Sequence, residues 1–223
     1  MKIKKVVALV LSAALIVGVT AGGTFAWLID KSETVTNTFT YGNIDITLDE
    51  TKVDEDGNPV DSDNDGVDDR TTTGNTYIGT PGEELLKDPT VTVLEGSEKS
   101  YVFVKLVKDK GTANSFDEFI EYEIYEQDTN NKWVWFDDKD GNDDTMVYYW
   151  NGVIDASSTQ IQLQILKDNK VKVKDTVTKD MIDALETAGS EYPSLEITAY
   201  AIQESAAGSY QEAWALITQP VTP

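Results

Sequence analysis

Nine residues, DSDNDGVDD at 61–69, carry the densest chemistry in this chain. Asp61, Asp63 and Asp65 alternate along it, Gly66 follows, and Val67 and Asp69 continue the alternation. That is the spacing of a loop that wraps a hard cation. Carboxylates stand at positions 1, 3 and 5, glycine at 6 makes a sharp turn, a main-chain carbonyl (Val67) serves position 7, and Asp69 holds position 9. An all-oxygen set of this kind selects calcium. Position 12 of the pattern calls for a bidentate glutamate, and Thr72 stands there instead, with no helical periodicity on either side. The residues leave two readings: a calcium site, or a solvated acidic loop. A second acidic turn, Asp137–Asp144, lacks the spacing and reads as a polar hairpin turn around Asp140-Gly141.

Other chemistries are excluded by composition. The 223 residues contain no cysteine and no histidine. Disulfides, thiolate metal sites, Ser-His-Asp and Cys-His nucleophiles, and HExxH zinc sites are therefore absent. Nothing among the 40 acidic residues singles out an acid/base pair, so no catalytic residue is assigned. The formal net charge is −22, a surface that repels nucleic acid and anionic membranes and suits a soluble extracellular protein.

Positioning elements begin behind an export signal. Lys2, Lys4 and Lys5 form a basic start, Val6–Val19 an apolar run, and Thr24-Phe25-Ala26 a small-x-small cleavage site. Cleavage between Ala26 and Trp27 leaves a mature chain, 27–223, with no membrane segment and a net charge of −25, since residues 1–26 carry three lysines and no acid. The alternative is an uncleaved anchor, because no charge interrupts Val6–Ile29. The C-terminal ITQPVTP carries neither a sortase-type motif nor a hydrophobic tail, which argues against covalent attachment to a cell wall.

Period-2 patterns dominate the mature chain. TVTNTFTY at 34–41 alternates threonine with Val35, Asn37, Phe39 and Tyr41, and Ile44, Ile46 and Leu48 share one face beyond it. Residues 49–75 read as an acidic, exposed insertion. Strands are expected at 90–94, at 101–107 as a central strand covered on both faces, at 120–125, at 160–166 and at 195–202. Residues 133–136 and 146–150 form a hairpin that gathers Trp133, Trp135, Tyr148, Tyr149 and Trp150. Such residues serve first as cross-strand pairs and core, with a sugar-binding platform or a subunit contact as the functional alternatives. Two helices are expected, at 178–188 and at 213–217, the latter behind a Ser209–Glu212 capping box. The sum is one all-β domain with minor helices: a jelly-roll-like or Ig-like two-sheet β-sandwich of eight to ten short strands.

The segment Gly22–Glu50 carries a more specific pattern. Gly22-Gly23-Thr24-Phe25-Ala26 is followed by Asp30, by Asn37-Thr38-Phe39, and by Gly42 with Ile44-Asp45-Ile46. It resembles the TasA and camelysin (CalY) group, whose signals are cut by a SipW-type signal peptidase. Pro81-Gly82-Glu83 with Lys87-Asp88, and the terminal ITAYAIQ…AWA, look similar to further parts of that group, while 49–75 departs from it as an insertion. The resemblance implies a secreted Gram-positive matrix protein with a jelly-roll-like fold. It also implies a fibre of copies of itself, in which the mature N-terminal segment of one subunit fills a sheet of the next, with a further matrix or anchor protein as an accessory. Trp27, Leu28, Ile29, Val35 and Phe39 are the assembly residues on that reading. Before cleavage, the signal would hold Trp27–Ile29 at the membrane and keep the strand from pairing. The bland alternative makes the same segment the first strand of its own domain. A monomeric calcium-stabilised surface or adhesive module is the second functional reading. A camelysin-type exported peptidase is the third, and the absence of histidine speaks against it.

Overall fold

Ser100–Lys108 shows how this sequence builds its layers. Alternate side chains of this strand enter different cores: Val102, Val104 and Leu106 one, Tyr101 and Phe103 the other. A strand buried on both faces loses its polar/apolar alternation, which is why the run reads as almost wholly apolar.

The computed structural model describes residues 29–31, 43–54, 56–108, 116–136, 144–188 and 192–219. Twelve strands are found among them: β1 Ile29–Lys31, β2 Ile46–Thr51, β3 Arg70–Thr71, β4 Glu84–Leu86, β5 Thr90–Val93, β6 Ser100–Lys108, β7 Ile120–Glu121, β8 Trp133–Phe136, β9 Thr145–Trp150, β10 Ile161–Gln164, β11 Lys170–Val173 and β12 Leu195–Gln203. The helices are α1 Phe116–Phe119, α2 Lys179–Ala188 and α3 Tyr210–Thr218. Every strand pairing is antiparallel. A five-stranded sheet runs β1-β12-β6-β9-β8, a four-stranded sheet β10-β5-β2-β3, and a three-stranded sheet β4-β11-β7.

The all-β sandwich read from the sequence is the observed class, with a third sheet that the patterning does not reveal. The five-stranded sheet packs its inner face on the other two. Val102, Val104 and Ala201 from the first meet Ile46, Val91 and Val93 from the second and Leu85, Val171 and Val173 from the third. On its outer face Phe103, Val147 and Ile202 are sealed by α3 through Ala213 and Trp214. Phe103 is fully buried, with its ring 5.3 Å from Trp214. Ser209 caps α3 as expected, its Oγ accepting from the Glu212 N–H at 3.2 Å. The reciprocal bond reaches one residue further back, since the Glu212 carboxylate accepts from the Gly208 N–H at 2.7 Å.

Two expectations change in detail. The strand expected at 120–125 is reduced to two residues, Ile120–Glu121, directly behind the helical turn α1, and continues only as an isolated bridge from Ile124 to Leu166. The acidic stretch 49–75 is not exposed throughout, since Glu50 and Thr51 end β2 as buried residues. The signal segment with its Ala26–Trp27 junction, Trp27, Leu28, Val35, Phe39 and most of the Asp137–Asp144 turn lie outside the described residues.

Candidate functional site: an acidic loop, its buried anchor and the N-terminal strand

The acidic loop rises from a narrow neck. Lys52 N–H donates to the Asp69 carbonyl at 2.8 Å, Val60 N–H to the Lys52 carbonyl at 3.0 Å, and Asp69 N–H to the Val60 carbonyl at 2.7 Å. Within it the chain folds around its own carboxylates. Asp61 accepts from the Asp65 N–H at 3.2 Å and the Gly66 N–H at 2.9 Å, Asp63 from the Asp65 N–H at 3.3 Å, and Asp65 from the Val67 N–H at 2.8 Å. The turn needs Gly66, whose φ of +86° is strained for any residue with a Cβ.

These bonds draw Asp61, Asp63 and Asp65 together, each offering an oxygen within 4.8 Å of the others. Three like charges at that separation repel by about 1 kcal/mol per pair even in water. Asp69 is turned aside: its carboxylate accepts from Ser62 Oγ at 2.5 Å and faces Lys52 at 3.9 Å. The Val67 side chain is exposed, so only its main chain could face a cation. Hard carboxylate oxygens suit calcium; they do not fit a catalytic zinc, whose sites are built around imidazole or thiolate.

Beneath the neck lies an anchor that sequence reasoning missed. Asp88 accepts from Thr51 twice, from its N–H at 2.6 Å and its Oγ1 at 2.8 Å, and from Arg70 Nη1 at 2.5 Å. Arg70 also grips Asp49, with Nη2 at 2.6 Å and Nε at 2.9 Å. Beside them Lys87 Nζ meets Glu50 at 2.6 Å with both side chains largely buried, and Asn75 donates to Glu50 from its N–H and Nδ2, each at 3.0 Å. Tyr77 borders this cluster, where burial and then the Glu50 charge push its hydroxyl well above the usual tyrosine range. Lys87-Asp88 thus ties the base of the loop to β2. Pro81-Gly82 upstream makes a turn closed by the Glu83 N–H on the Thr80 carbonyl at 3.0 Å, with Gly82 at φ +86°. Only Pro-Gly and the Lys-Asp pair hinted at this in the sequence.

The third component is β1. Its three residues pair with the edge of β12, Ile29 opposite Ile202, Asp30 opposite Ala201 and Lys31 opposite Tyr200. Among the described residues this segment is seated on its own domain, at the edge of the five-stranded sheet. Ile44 and Ile46, further along the chain, are buried in the main core, and β2 belongs to the four-stranded sheet. The aromatic hairpin divides likewise. Trp133 and Trp150 are core, Tyr149 stacks on Tyr210 at 4.0 Å, and Trp135 is 65% exposed.

A family model described as Camelysin metallo-endopeptidase matches residues 2–61. This N-terminal stretch is similar to the camelysin family. The resemblance to the TasA and camelysin group therefore holds over the segment on which it was chiefly read. The matched segment supplies one strand to each main sheet, β1 and β2, and ends at Asp61, where the calcium-type spacing starts. No curated protein and no solved structure matches the chain. Among the described residues no helix is long and apolar enough to cross a membrane.

Calcium is tested most simply by melting. A ligand that binds only the folded state stabilises by about 2.7 kcal/mol at a hundredfold excess over Kd. For a domain of this size, that is a rise in Tm of roughly 5–10 °C. Asp63→Asn with Asp65→Asn is expected to abolish the rise, and a Tm indifferent to calcium and to chelator would remove the site.

Proposed function

We propose that the protein is a secreted structural subunit of an extracellular fibre, assembled by exchange of its N-terminal strand between copies. The observation that carries this reading is the three-residue ladder of β1 on β12, two residues behind the expected cleavage point. β12 makes nine residue pairs with β6 on its other side, so β1 is the lightly held member of that sheet. An edge strand held by so few pairs opens at low cost. The same register is available to β1 of a neighbouring copy, which makes exchange a low-cost route to association. An exchange that does not close on itself propagates as a filament.

Export supplies the trigger. Cleavage by a SipW-type signal peptidase frees Trp27-Leu28-Ile29, an apolar end that is costly to leave in water at ~25 cal/mol per Å² of apolar surface. The net charge of −25 on the mature chain opposes association, so salt, calcium or mild acid should promote it by screening or neutralising carboxylates. An accessory matrix or anchor protein fits the same picture.

The gathering of Asp61, Asp63 and Asp65 favours a second reading, a monomeric calcium-stabilised surface or adhesive module. Peptidase activity rests on the name of the matching family alone, and neither histidine nor a zinc-type donor set supports it here. The test is direct. The secreted species should have the intact mass of residues 27–223 and form filaments visible by electron microscopy. Recovery of only full-length, membrane-bound chain, or of a mature chain that stays monomeric in salt and calcium, would overturn the fibre reading.

A further inference from the structure

The exposed aromatic face at the end of the β8–β9 hairpin has no part in strand exchange or in the acidic loop. Along β8, Trp133 and Trp135 point to the same side of the sheet, and Trp133 is buried against Trp150 at 5.3 Å. One step further out the opposing sheets no longer cover this face, and Trp135 remains 65% exposed. Its cross-strand neighbour is Tyr148, which lines an open groove of about 390 Å³. Tyr122 lines the same groove together with Lys108, Lys174, Asp117 and Glu121.

These polar groups are held in place. Lys108 Nζ donates to both Asp117 oxygens at 2.7 Å and lies 5.9 Å from the Tyr122 ring, and Lys174 Nζ donates to the Asp117 carbonyl. Burial pushes the Tyr122 hydroxyl above its usual range and keeps it a donor, and it donates to Met146 Sδ at 3.7 Å. Two cations and two anions leave the groove formally neutral on a strongly acidic body. A polyanion is repelled by that body, and a polycation finds stronger attraction almost anywhere else on it. The remaining fit is a neutral polyol: a sugar ring whose C–H face lies on the negative face of an aromatic ring, with hydroxyls that both donate to carboxylates and accept from ammonium groups.

We infer that Trp135, Tyr148 and the neighbouring groove form a binding site for a neutral polysaccharide. The site is independent of the fibre reading and stands or falls separately. The test is affinity electrophoresis of the purified protein through gels carrying laminarin, mannan or hydroxyethyl cellulose, with polygalacturonate as the charged control. At least one neutral polysaccharide should retard the protein and polygalacturonate should not. Trp135→Ala should weaken that retardation at least tenfold with Tm unchanged, and Trp135→Phe should restore most of it. Lack of retardation by all three neutral polymers, or equal retardation of wild type and W135A, would overturn the site. Loss of filaments in W135A with retardation intact would make this face a subunit contact and overturn it as well.

Discussion

Deleting residues 27–33 from the mature chain is expected to leave a folded monomer that no longer forms filaments. The domain should survive because β1 contributes three residue pairs at a sheet edge, whereas the core rests on β6, β9 and β12 and on the strands facing them. Fraying such an edge costs little beside the total stability of a domain. Assembly should fail outright, because the deleted segment is the element exchanged. Replacing Trp27 and Ile29 with Asp should act likewise, by putting charge where an apolar strand must be buried. If the deletion unfolds the domain, the segment is an ordinary first strand. If the truncated chain still forms filaments, the interface lies elsewhere.

The second large effect is expected at the anchor beneath the loop. Asp88→Ala removes the acceptor of two bonds from Thr51 and one from Arg70, and Asp88 is 9% exposed. Breaking a buried ion pair from one side typically costs 3–5 kcal/mol. Arg70 is partly solvated, its side chain 37% exposed, and discounting for that leaves about 2–4 kcal/mol. For a chain of this length the Tm should fall by roughly 5–15 °C. Asp88→Asn keeps one acceptor for Thr51 and should lose less. Urea unfolding midpoints at constant slope would measure both, and an Asp88→Ala change under 0.5 kcal/mol would contradict the role given to this cluster.

The sequence showed local features well and distant ones poorly. β5, β6, β8, β9, β10 and β12 announced themselves through alternation or continuous apolar runs, and α2 and α3 through apolar spacing and a cap. The third sheet did not, because β4 and β11 are three and four residues long and gain their identity from partners far along the chain, and β7 keeps only two residues of the strand expected at 120–125. The same division runs through the candidate site. Asp61, Asp63 and Asp65 lie within five residues, so their spacing alone foretold their meeting. Asp88 meets Thr51 from 37 positions away and Arg70 from 18, and although the resemblance pointed to Lys87-Asp88, its partners could not be read from the sequence. Trp135 is the converse case, since alternation grouped it with the buried Trp133 and only the extent of the facing sheets leaves it in water.

Strand exchange is measured most directly by cross-linking between copies. The chain has no cysteine, and Asp30 faces Ala201 across the β1–β12 ladder. Residues opposed across an antiparallel pair lie within disulfide reach. Mature Asp30→Cys and mature Ala201→Cys are mixed, brought to filament-forming salt and calcium, and oxidised. Each copy lacks its own partner cysteine, so every disulfide joining the two positions reports β1 of one copy on β12 of another. The account predicts that this mixed dimer becomes the main oxidised product as filaments appear, and that it is nearly absent before assembly. Filaments that form with no such dimer would contradict it.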